Sequence, residues 1–218
     1  MSALTLCVTV SCGDHTSVPQ PVPVPKPFAI KKSEPELTQT KTLMVGLPGA
    51  VAGVGEIAFR DRRTNTQERG PATNAGTFSV LLSIDTGDLE ARYLNPQGEA
   101  SAWVSLALRQ DGIRPRLSPA NWDRLPISPP NSQGNVTVTN VDPETTDLMI
   151  TATPKSEVVV SNTVTGELAI GRTDSRGAFT LVLPAATGDV IGILLLQGES
   201  GLEAVSNYLT YPVPPSTP

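Results

Sequence analysis

Histidine is almost missing from this chain. His15 is the only one in 218 residues, and it stands among small polar residues at positions 13–17. That removes Ser-His-Asp and Cys-His nucleophile machinery and every histidine-based zinc site. Cysteine is nearly as scarce: Cys7 and Cys12 both lie at the extreme N-terminus, where they cannot staple a core. Two Trp, three Tyr and four Phe are spread over the whole length. A paired-carboxylate glycosidase needs acids facing each other across a cleft with aromatic walls, and this scatter does not suggest one. Charged residues make up 17% and the net charge is -5. Basic residues cluster only at Lys31-Lys32 and at Arg60, Arg62 and Arg63, so nucleic acid is not an expected partner. No apolar run is long enough to span a bilayer, and no segment carries a clean helical period.

What the chain does have is proline, 21 residues, and glycine, 18. That mixture suits short strands joined by many turns. Thr173 to Leu183 reads as a polar turn followed by a strand in which Phe179, Leu181 and Leu183 alternate with Thr180 and Val182; Thr187-Gly188-Asp189 makes the next turn. About a hundred residues earlier the same construction runs through Gly76, Phe78, Leu82 and Thr86-Gly87-Asp88. Laid without a gap on residues 157–189, residues 56–88 match at Glu56, Thr64, Gly70, Gly76, Phe78, Leu82, Thr86, Gly87 and Asp88. Unrelated segments would share about two, so the chain holds two copies of one module. Leu43-Met44-Val45 is the upstream match to Leu148-Met149-Ile150.

The expected organisation is therefore a leader-like segment 1–12, a Pro-rich linker 13–37, a first domain 38–108, a second Pro-rich linker 109–133, a second domain 134–211 and a disordered tail 212–218. The alternating prolines from Pro19 to Pro27 predict a polyproline II stalk. Strands of the first domain are expected at 40–46, 56–60, 77–83, 89–94 and 101–108, with a loop over 64–74. Those of the second are expected at 135–141, 148–153, 157–161, 167–173, 177–183, 190–196 and 202–209. Short strands with turn signals at this spacing predict an all-β protein of two antiparallel β-sandwiches. Trp122 lies in the second linker, where its ring is expected to pack on a neighbouring domain or, alternatively, to offer a ligand platform.

Two resemblances add to these readings. Leu4 to Ser11 form a short apolar stretch ending in a small residue before Cys12, which resembles the end of a bacterial lipoprotein signal. It departs from that pattern in lacking a basic residue ahead of the run and in placing Thr9 three residues before Cys12. The resemblance implies lipidation of Cys12; a secretory signal with an incidental cysteine is the alternative. Val159-Val160-Ser161-Asn162, Thr165-Gly166-Glu167, Thr173 to Phe179 and Thr187 to Ile191 resemble the tandem immunoglobulin-like domains of exported bacterial proteins. They are similar also to carboxypeptidase regulatory-like domains. That resemblance implies modules used as spacers, in adhesion or as accessories, with no catalytic residues.

Asp174, Asp189 and Glu199 could offer oxygens to Ca²⁺, but the first copy answers Asp174 with Thr73, and turn-forming roles explain these carboxylates as well. No metal or other cofactor is expected. The function expected is non-enzymatic: a lipid-anchored or extracellular structural or adhesion protein of the cell envelope, with a protein or a cell-wall polymer as partner and the membrane reached only through the N-terminal anchor. A carbohydrate- or protein-binding accessory module is the alternative; it requires Trp103, Trp122 and Tyr93 to converge on one face. The ungapped alignment also places Val190, Gly192 and Leu194 inward, like Leu89, Ala91 and Tyr93. Ile191, Ile193 and Leu195 would then point outward with Val159, as an apolar interaction surface.

Overall fold

The structure is a computed structural model that describes residues 20–34, 40–84, 87–106, 115, 117–119, 127–140, 150–198 and 204–216. Among the described residues there are fifteen strands, one 3₁₀ turn at Pro27–Ala29 and no α-helix, and every strand pair is antiparallel.

In the N-terminal half the strands are β1 (Ile30–Lys32), β2 (Thr42–Gly46), β3 (Gly55–Asp61), β4 (Gln67–Ala72), β5 (Phe78–Leu82), β6 (Leu89–Leu94) and β7 (Val104–Ser105). They form one sheet in the order β1-β2-β5-β4-β3-β6-β7. Only the pair Ala72↔Phe78 joins β4 to β5, and around that point the sheet curls over its own core. Ile57, Phe59, Phe78, Leu82, Leu89, Ala91 and Tyr93 fill the core, with Phe59 meeting Phe78 edge to face at 5.7 Å between ring centres.

The C-terminal half contains β8 (Leu117–Pro119), β9 (Asn135–Asn140), β10 (Ile150–Ala152), β11 (Glu157–Asn162), β12 (Leu168–Arg172), β13 (Phe179–Pro184), β14 (Val190–Gln197) and β15 (Ala204–Pro212). A four-stranded sheet β12-β11-β14-β15 and the pairs β13-β9 and β10-β8 enclose a second core. It holds Val136, Val138, Val158, Val160, Phe179, Leu183, Ile191, Ile193, Leu195 and Leu209.

One strand pairing recurs between the two halves. Glu56↔Pro71 and Ile57↔Gly70 across β3–β4 become Glu157↔Arg172 and Val158↔Gly171 across β11–β12, in the register that the ungapped alignment requires. The glycines of the following turn match as well. A Cβ on Gly76 would lie 2.2 Å from the Val51 carbonyl oxygen, and one on Gly177 would lie 2.3 Å from that of Ala152. Both residues have positive φ, so glycine is required twice over.

Several boundaries differ from the sequence expectation. Residues 67–72 were expected in a loop but form β4, whose Arg69 and Gly70 pair with Ala58 and Ile57. The upstream match is also different: Gly46 pairs with Phe78 and Asn140 with Phe179, so β2 corresponds to β9, not to residues 148–150. Gly46 and Val51 are five positions apart and Asn140 and Ala152 twelve, and the extra residues obscured this match. The Pro-rich segment 13–37 does not stand free where it is described. Pro25 is buried, the Lys26 amide donates to Ala50, and Ile30–Lys32 extend the sheet as β1. Segment 109–133 likewise contributes β8 and Ile127, and Leu117 and Ile127 enter the second core. Val213, expected in a disordered tail, is buried in that core and donates its amide to the Asp189 carbonyl. In each case a Pro-rich stretch carries one or two apolar side chains that find a place on the adjacent sheet. Trp122 lies outside the described residues.

Candidate interaction surface

β3 and β11 are the strands on which the two halves can be compared side by side. In the N-terminal half Ile57 pairs with Tyr93 and Phe59 with Ala91; in the C-terminal half Val158 pairs with Leu195 and Val160 with Ile193. Tyr93 therefore corresponds to Leu195, one residue beyond its partner in the ungapped alignment. Thr163 donates its amide to the Val190 carbonyl, where Arg62 donates to Asp88. One additional residue thus enters between β13 and β14, and Thr-Gly-Asp recurs in sequence without recurring in register. A slip of one residue turns every side chain of a strand to the opposite face.

The expected outward face is reversed as a result. Ile191, Ile193 and Leu195 are fully buried in the second core and are no interaction surface. Gly192, Leu194 and Leu196 point the other way, on the face of Val159, which is fully buried as well and not on the face of the three residues it was expected to join. That face is apolar and it is covered. Leu43 and Val45 of β2 lie against Val159, Leu194, Leu196, Val205 and Tyr208 in a third apolar cluster, flanked by Leu47, Leu81 and Leu168. A Cβ on Gly192 would meet Leu43 Cδ2 at 2.9 Å, so the glycine is the seat for that leucine.

Polar contacts fasten the same junction. The Ser79 hydroxyl donates to Ser161 Oγ at 2.8 Å, wholly buried, and Thr77 donates to the Gly166 carbonyl at 3.0 Å. Tyr208 donates its hydroxyl to the Lys41 carbonyl, and the Glu34 amide donates to that of Ser206. At the equivalent turn position of the first half stands Asn65, with φ 58°; Gly166 has φ 80°. Glycine is needed at 166 because a Cβ there would come within 2.8 Å of the Pro71 carbonyl oxygen.

The corresponding face of the N-terminal half is charged. Arg69, Ala58 and Arg92 lie in one row across β4, β3 and β6. Arg60 pairs with Glu90, which also receives Arg62 at 3.4 Å, and Arg69 pairs with Glu56 at 3.3 Å. Trp103 lies under two guanidinium groups, with Arg60 Cζ 4.2 Å and Arg92 Cζ 4.5 Å from its ring centre. Of the aromatic row that a sugar platform would require, Tyr93 does not share the face of Trp103. Tyr93 faces into the core, donates its hydroxyl to the Val54 carbonyl, and burial pushes its pKa up.

The remaining candidates resolve into turns or fall outside the described residues. Asp174 Oδ1 accepts the amides of Arg176 and Ala178, and Asp189 Oδ2 accepts the Asn162 amide side chain and the Ala186 amide. Among the described residues no group of three or more metal-ligating side chains occurs, and no helix is long and apolar enough to cross a membrane. Cys12, His15 and Glu199 are not among the described residues. Sequence reasoning missed Arg92: its pairing with Trp103 depends on β6 and β7 lying side by side, which no spacing in the sequence reveals.

No protein-family model matches the chain, and neither does any curated protein. Among solved structures, the BSP domain of a biofilm-associated protein superposes over 87% of this chain at 14% identity and a TM-score of 0.27. This chain spans 30% of that one's length. The human OSCAR ligand-binding domain is covered in full at 9% identity and a TM-score of 0.28, over 89% of this chain. A two-domain fibronectin type III segment of chicken tenascin is covered over 98% of its length and 87% of this chain, at 12% identity and a TM-score of 0.27.

Proposed function

We propose that the chain is a non-enzymatic structural and adhesion protein of the cell envelope, built from two tandem immunoglobulin-like sandwiches fused into one stiff unit. The observation that carries this reading is the apolar junction of Leu43 and Val45 with Val159, Leu194 and Leu196. Neighbouring domains move relative to each other by default unless the contact between them is hydrophobic and extensive. Full burial of a leucine or valine contributes about 1.5–3 kcal/mol, so this contact holds the halves in one orientation. Fixed orientation is what a spacer needs in order to hold a binding surface away from its anchor. Cys12, the leader-like run before it and the prolines that follow support export and a lipid anchor. A protein or a cell-wall polymer is the partner that such a unit would present or meet.

Two measurements test the reading. In the native host the wild-type chain is expected to partition with membranes and Cys12→Ala to be released; an intact mass with unmodified Met1 on exported protein would refute the anchor. Small-angle scattering of the purified chain should fit one rigid body at all salt concentrations. A distribution of inter-domain distances would refute the spacer.

A further inference from the structure

Among the described residues, no carboxylate pairs with Arg92. Glu90 answers Arg60 and Arg62, Asp88 also meets Arg62, Asp61 meets Arg63, and Glu56 answers Arg69. Arg92 has only the Trp103 ring, and its Nε is buried without a hydrogen-bond partner. A guanidinium stacked on an aromatic face keeps its N–H groups in the ring-parallel plane, held in a fork that matches a carboxylate. An unmatched buried donor is costly unless something supplies an acceptor.

A cleft of about 690 Å³ opens at this residue, bounded by Val54, Glu56, Arg69, Arg92, Asn95 and Ala100. Its chemistry is mixed. Arg92 and Arg69 bring two positive charges and Glu56 one negative, leaving one positive charge to be balanced. Acceptors nevertheless surround that charge: the Glu56 carboxylate and the exposed backbone of the 95–100 turn. Val54 and Leu94 add apolar surface.

We propose that this cleft is a binding site for a uronic-acid unit of an anionic polysaccharide, with the sugar carboxylate on Arg92 and its hydroxyls on the acceptors around it. A uronate supplies one carboxylate and several hydroxyl donors on the same ring, which is the complement of one unpaired guanidinium among acceptors. An acidic peptide brings several carboxylates and none of those hydroxyl donors, and the cleft has only one positive charge left to balance them. The site stands apart from the junction between the halves and does not depend on the chain acting as a spacer.

Short galacturonate oligomers are the probe. Titrated calorimetrically into the full chain at low ionic strength, they are expected to bind saturably, whereas the neutral galactose oligomers do not. Loss of one charge-assisted fork should weaken binding roughly tenfold or more in Arg92→Gln, with Arg92→Lys between the two. In a Trp122→Phe background Trp103 is the sole tryptophan, so its emission should follow the titration and report the site directly, whether or not the Arg92 variants fold. Three results would overturn the proposal: no heat and no change in Trp103 emission, undiminished binding by a folded Arg92→Gln, or equal binding of a glutamate-rich peptide.

Discussion

Arg92 and Leu194 occupy the same place in the two halves: each stands on the strand beside the central one, opposite Ala58 in the first half and Val159 in the second. Around Arg92 are Arg60, Glu90 and Trp103; around Leu194 are Ser161, Gly192 and, from the other half, Leu43. One face receives a neighbour and the other is closed to one. The face that Leu43 and Val45 belong to shows the same asymmetry. Its counterpart on β9 and β13 carries Thr137, Thr139, Thr180 and Val182, with Val182 54% exposed. A head-to-tail contact of this kind would propagate into a filament if both ends kept their apolar faces. Charge on the one face and threonine on the other offer no such apolar seat, as with the polar caps of repeat proteins.

The largest expected effect comes from reversing the assignment of faces. Ile193→Lys places a charge in the second core and should abolish folding of the C-terminal half, since a buried unpaired charge costs more than a domain's whole margin of roughly 5–15 kcal/mol. Circular dichroism and urea melts should show that half unfolded. A folded Ile193→Lys with native stability would restore the outward placement of this side chain.

How much of this was legible in sequence depends on which physical rule set each feature. Alternation and turn residues located most strands, but β4 was missed because residues 67–72 carry no alternating apolar pattern. Thr187-Gly188-Asp189 misled because a turn can gain a residue while keeping its preferred composition; the period-two face then inverts. Ile191 to Leu196 are apolar at every position, so the strand's own pattern could not correct the error. Such a run marks burial on both faces, and that signal was present. Pro-rich segments were misplaced for a related reason. Proline excludes helix and central strand, but it leaves an edge strand such as β1 or a docked turn entirely open.

A smaller effect should separate the two faces without unfolding either half. Leu194→Arg installs the residue of the first half in the second, and Gly192→Glu does the same beside it. Leu43 then loses its seat and a charge must leave the junction. Each substitution should cost about 2–5 kcal/mol of coupling. The expected outcome is two unfolding transitions where the wild type has one, with both halves retaining strand signal. Unchanged cooperativity would mean that the junction contributes little.

The mildest contrast lies in the turn after β3, where Asp61 corresponds to Asn162. Both side chains accept amides from their own turn: Asp61 Oδ1 from Arg63, and Asn162 Oδ1 from Val164 and Thr165. The Arg63 amide and then the Thr64 hydroxyl hold the Asp61 carboxyl below its ordinary value of 3.8, against the opposing push of burial. A carboxyl whose pKa is lowered by folding stabilises the fold above its unfolded pKa, and that contribution is lost as pH falls through the folded value. The N-terminal half should therefore weaken below about pH 4, while Asn162 itself carries no group that titrates there. Asp61→Asn converts one turn into the other. It should lower the melting temperature modestly near neutral pH and flatten its decline in acid, as measured by thermal melts from pH 2 to 7. An unaltered acid decline in this variant would place the responsible carboxylate elsewhere.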